Sequence, residues 1–77
     1  MRSALEYVID CCCQKYDGGN GNEFTTATFQ SELSRVTDSK PMITPQVAEL
    51  ILMSIGGVVR QESRCHWRFL RRFYETV

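Results

Sequence analysis

The side chains best equipped for chemistry gather late in the chain: Arg60, Arg64, Cys65, His66, Arg68, Arg71 and Arg72. Trp67, Phe69, Phe73 and Tyr74 are interleaved with them. An arginine offers a planar fork of donors that matches phosphate oxygens. Arg60, Arg64, Arg68, Arg71 and Arg72 are therefore candidate phosphate contacts, with Trp67 packing beneath them. The plainer alternative is a solvated strand face that blunts a sheet edge. The aromatics suit stacking on unpaired bases, but a chain of 77 residues also needs large side chains for its core.

Three other chemistries are weaker. Cys11, Cys12 and Cys13 with Cys65 and His66 are the right ligand types for zinc. Their spacing is wrong, because consecutive helical residues point about 100° apart and three cannot converge on one ion. Cys65 and His66 as a nucleophile and base would alternate faces of a strand, with no third group to orient the imidazole. The glycine-rich loop at 17–22 lacks the lysine and helix signature of a phosphate-binding loop. No catalytic motif is present, so the expectation is a protein that is not an enzyme and uses no cofactor or metal.

The formal charge of zero conceals a division. Residues 1–57 hold four basic side chains against seven acidic ones, whereas residues 58–77 hold five arginines against Glu62 and Glu75. Such polarity matters more than the total when a partner is a polyanion. The apolar share of 43% is that of a globular domain rather than a disordered chain. No run approaches the roughly 20 apolar residues of a membrane span, and no signal-peptide core opens the chain. Three adjacent cysteines do not resemble a spread-out disulfide framework. A soluble cytoplasmic protein is expected.

The elements that position these residues follow from periodicity. Ser3 caps a first helix over 4–16, with Leu5, Val8, Ile9, Cys12, Cys13 and Tyr16 inward. Residues 23–25 allow a very short strand. Thr25 or Thr26 caps a second helix to Val36, with Phe29, Leu33 and Val36 inward. Thr44-Pro45 starts a third helix that runs to Ile55, where Gly56 is suited to a left-handed cap. Its inner face is read as Val47, Leu50, Ile51 and Ile55, its outer face as Gln46, Glu49 and Met53, with Leu52 at the margin. From Val58 the period shifts towards two, predicting a hairpin that turns at 63–65 and returns over 66–71. Trp67, Phe69 and Arg71 then share one face, and His66, Arg68 and Leu70 the other. A fourth helix over 66–76 is the competing reading, since Trp67, Leu70, Tyr74 and Val77 also have helical spacing.

This order of elements resembles the winged-helix superfamily. In detail, Gly57, Val58-Val59, Arg60 with Glu62, Arg64, and Trp67-x-Phe69 resemble the wing of small prokaryotic and phage regulators. The resemblance implies an α+β winged helix in a single domain over 1–77, with three helices, a very short strand before the second, and a C-terminal hairpin. It also implies a transcriptional regulator of phage or plasmid type that binds double-stranded DNA. By position, Gln46, Glu49 and Met53 would face the major groove, and Arg60, Arg64, His66, Arg68 and Arg71 would serve the wing. A homodimer is expected, because one weakly basic domain of this size buries little DNA. The third helix carries no basic residue, and Glu49 sits on its outer face. Those features favour an alternative: a protein-interaction module, an inhibitor or adaptor, that uses Met42, Leu52 and Met53.

Overall fold

A computed structural model describes residues 3–16 and 21–70. Part of the glycine-rich loop (17–20) and the stretch 71–77 lie outside the described residues, and with them Arg71, Arg72, Phe73 and Tyr74.

The first helix, α1 (Ala4–Lys15), begins where the sequence predicts. Ser3 Oγ accepts from the Glu6 N–H at 3.2 Å, and Glu6 Oε1 accepts from the Ser3 N–H at 3.1 Å. This reciprocal pair satisfies two donors that the first turn leaves without helical partners. One face buries Val8, Ile9, Cys12 and Cys13. The two cysteines act as small apolar side chains, and burial, the main cause, pushes both thiols up to about 12.

The short strand β1 (Glu23–Thr25) leads directly into α2 (Thr26–Val36), where Thr25 Oγ1 accepts from the Thr28 N–H at 3.2 Å. Phe29 and Leu33 are buried as predicted. Val36 is not: it stays in phase with them but lies at the open end of a groove between α1 and α2, 50% exposed. After the Thr37 cap, Asp38 takes φ 53°. The Ser39 N–H then reaches the Ser34 carbonyl at 2.9 Å, and the Asp38 N–H reaches that of Arg35 at 3.3 Å. These are the two bonds of a Schellman cap, with aspartate where glycine is commonest.

Thr44 and Pro45 start α3 (Pro45–Met53) as expected, with Thr44 Oγ1 accepting from the Val47 N–H. The helix ends earlier than predicted, and not on glycine. Ser54 caps it, and bonds from Ile55 to Leu52 and from Val58 to Ile55 carry the chain out through tight turns. Gly56 does not take positive φ. The inner face also differs. Ala48 and Leu52 are fully buried and Ile51 and Ile55 partly so, while Val47 and Leu50 face outward. The predicted face was off by roughly 80° of helix rotation. Ala48 and Leu52, four residues apart and so on one side of the helix, mark the face that enters the core.

The strands β2 (Val59–Ser63) and β3 (His66–Phe69) form the hairpin, turning at Arg64 and Cys65, with Cys65 at φ 66°. β3 is central in an antiparallel sheet of order β1-β3-β2. Residues 66–69 are thus strand, which disposes of a helix beginning at His66. Phe24, Val59, Trp67 and Phe69 point into the core. Among the described residues the fold is therefore a small α+β domain of three helices and a three-stranded antiparallel sheet. No helix among them is long and apolar enough to cross a membrane.

Candidate functional site

Strand alternation puts the hairpin's charged residues on the sheet face away from the core. Register sets Glu23 of β1 and Arg60 of β2 on either side of Arg68 in β3. Gln61 pairs with Trp67 and Ser63 with His66, so Glu62 is the extra residue of a bulge. Arg68 is engaged on all sides. Its Nε donates to Glu62 Oε1 at 2.5 Å, Nη2 lies 3.6 Å from Glu23 Oε2, and Nη1 reaches Asn22 Oδ1 at 3.5 Å. Arg60 Nε donates to the other oxygen of Glu62 at 3.2 Å. The bond from Arg68 holds the Glu62 carboxyl below the usual carboxylate range and raises the guanidinium in turn.

His66 Nε2 lies 3.0 Å from Glu23 Oε1, close enough for a charge contact but not aligned as a hydrogen bond. Its ring packs edge-on against Tyr16, with centroids 5.2 Å apart. Two of the predicted phosphate contacts, Arg60 and Arg68, thus face Glu62 and Glu23, and His66 faces Glu23. To reach a phosphate, Arg68 would have to leave carboxylates it already holds. Arg64, by contrast, is exposed at the hairpin tip and overlooks a concavity of about 350 Å³. Thr25, Thr26, Gln30 and Pro45 form its far wall, so the first residues of both α2 and α3 border it.

Of the candidate stacking aromatics, Trp67 and Phe69 belong to the core, and Phe73 and Tyr74 lie outside the described residues. Trp67 and Phe69 are buried, and the indole N–H donates to Thr26 Oγ1 at 2.8 Å.

The second surface is the outer face of α3. Leu50 is 65% exposed and Met53 64%, with Val47 and Met42 also exposed. Gln46 is exposed among them, and Glu49 is half-buried at the edge. Nothing on this face is cationic. Leu52, predicted to belong to an interaction surface, is instead in the core because the helix is turned from its predicted phase. Leu50 and Val47 are the residues that sequence reasoning missed here. The available signal was the Ala48–Leu52 pair at i, i+4.

Comparison with known protein families, curated proteins and solved structures finds no match.

A third feature joins α1 to α2. The Glu32 side chain is only 6% exposed, and it binds Lys15 Nζ at 2.5 Å and Arg35 Nη2 at 2.9 Å. The carboxylate lies near the surface, held by two cations that are each more than half exposed. Hydrogen bonds from Lys15, then from Arg35, hold it below the usual carboxylate range. A carboxyl lowered on folding stabilises above its unfolded pKa, and that stabilisation is lost as pH falls through the folded value. Glu32→Gln is therefore expected to cost about 1 kcal/mol at neutral pH, a figure discounted for the exposed cations. The gap to the parent should close as pH drops below roughly 4, read from urea midpoints at several pH values.

The cysteines are dispersed: Cys12 and Cys13 in the core, Cys11 and Cys65 exposed. Among the described residues, no three His, Cys, Asp or Glu side chains are grouped to hold a metal ion.

Proposed function

We propose that this chain is a winged-helix module whose α3 engages an apolar protein surface instead of reading DNA bases. Element order and the β1-β3-β2 sheet support the winged-helix reading. The observation that carries the function is the outer face of α3. In the helix position that reads bases in the winged-helix family, the chain exposes Val47, Leu50 and Met53 and no cation. Specific base readout draws mostly on arginine, lysine, asparagine and glutamine, and only Gln46 qualifies. Exposed apolar clusters of this kind mark protein contacts, and methionine adapts well to a partner surface.

DNA binding is the second reading, favoured by Arg64 beside the starts of α2 and α3. On that reading Arg64→Ala should lower the salt dependence of duplex binding by about one counterion.

A photo-crosslinking residue at position 50 separates the two, with Gln61, exposed on β2, as the control position. In lysate of the source cell we expect a protein adduct at 50, none at 61, and loss of that partner in Met53→Asp. Duplex DNA binding that is tight at low salt, sensitive to Arg64→Ala and indifferent to Leu50→Asp/Met53→Asp would overturn the proposal. A crosslink to a second copy would identify the partner as the chain itself.

A further inference from the structure

We propose that the groove between α1 and α2 is a separate docking site for an amphipathic helix of a protein partner, one whose apolar stripe is flanked by a carboxylate. The groove has a volume of about 520 Å³, within the ~300–1,000 Å³ of typical binding sites. Leu5, Val8 and Leu33 line it, and none of these is freely exposed. Tyr7 and Val36 line it too, and they are 59% and 50% exposed. The large exposed apolar side chains of the described residues thus divide between two places. Met42, Val47, Leu50 and Met53 lie on or just before α3, and Tyr7 and Val36 lie here. The two sets share no residue, so the groove is a surface distinct from the outer face of α3.

Shape selects a helix. A furrow between two packed helices accepts a ridge of side chains from a third. An amphipathic helix supplies that ridge from positions i, i+3 or i+4, and i+7.

Charge selects the sign of its flank. Glu32 is the carboxylate lining the groove, and its two oxygens are engaged by Lys15 and Arg35. One anion against two cations leaves a positive remainder, and both cations are more than half exposed. Arg35 Nη2 donates to Glu32 Oε1, whereas a guanidinium has five N–H donors in a fork shaped for carboxylates. A partner aspartate or glutamate beside the stripe would bind there without displacing Glu32. A lysine in its place would meet like charge. A nucleic acid is disfavoured by the apolar lining, which offers nothing to a phosphate backbone.

The test is selection from a phage-displayed library of helical peptides against the immobilised full chain carrying Cys65→Ser. Enriched peptides should have apolar residues at helical spacing with Asp or Glu beside them. Their affinity should fall at least tenfold in Val36→Asp, and Arg35→Glu should reverse the preference for acidic flanks. Val36 is half exposed, so its variant should keep the parent's circular dichroism. Alkylation of Cys11, an exposed thiol lining the groove, with a bulky maleimide blocks the site without mutation and should also abolish binding. No enrichment, enrichment without acidic bias, or binding lost on Leu50→Asp but not Val36→Asp would each overturn the proposal. So would self-association in sedimentation that Val36→Asp removes, which would make a second copy the occupant. Because the α3 surface is probed by Leu50→Asp alone, failure here is distinguishable from failure of the proposed function.

Discussion

Leu52→Asp is expected to unfold the domain, whereas Leu50→Asp, two residues earlier on the same helix, should leave it folded. Leu52 is fully buried on the inner face of α3 with Ala48. Deleting a buried leucine side chain costs about 2–5 kcal/mol, and an unpaired carboxylate in its place adds a desolvation penalty. A chain of 77 residues has a total stability of roughly 4–12 kcal/mol, so the change removes most or all of it. Leu50 points to solvent, and its replacement should stay within about 0.5 kcal/mol plus a similar loss of helix propensity. Urea denaturation followed by circular dichroism decides the matter. Equal damage from both substitutions, or a reversal of the order, would show that α3 is turned differently and would remove the apolar face on which the proposed function rests.

The same helix shows where sequence reasoning stops. Its start was legible, because Thr44-Pro45 combines a side-chain acceptor with a residue that has no N–H to satisfy. Its phase was not. Val47, Ala48, Leu50, Ile51, Leu52 and Met53 wrap most of the circumference, so apolar spacing fits several inner faces equally well. Only the packing of Ala48 breaks the tie. The capping box of α1 was written locally, in Ser3 and Glu6, and so was the alternation that buries Trp67 and Phe69.

Interactions between elements were out of reach for a different reason. The sequence offers Arg68 as a phosphate contact because its neighbours depend on register, and register brings Glu23 and the bulged Glu62 to it. Lys15 meets Glu32 across 17 residues only once α1 lies on α2. Charge composition therefore described the stretch after Val58 as basic, although pairing neutralises much of what the hairpin face presents. That is the main physical reason to look to α3, and to the groove between α1 and α2, for partners.

The hairpin's place on the helices should depend most on Trp67, and Trp67→Ala is expected to cost about 3–5 kcal/mol. The side chain lies at the centre of the sheet, opposite Phe24 on one side and Gln61 on the other. Its ring fills core volume, and its N–H ties β3 to the first residue of α2 across 41 residues. The Thr26 N–H adds a second tie, to the Cys65 carbonyl at 3.0 Å. Substitutions separate packing from hydrogen bonding. Trp67→Phe retains an aromatic ring but gives up the donor and part of the volume, and should cost less than Trp67→Ala. Thr26→Val leaves a buried indole N–H unsatisfied, which costs about 1–3 kcal/mol. If the bond matters as a pair, the double variant should be less damaged than the two single changes predict, by roughly 1 kcal/mol. Strict additivity in urea midpoints would mean that packing alone seats the hairpin. Coupling would also bear on function, because Thr26 and Arg64 line the same concavity at the starts of α2 and α3. Thr26→Val should then alter any duplex binding that depends on Arg64 while leaving contacts through Leu50 and Met53 untouched.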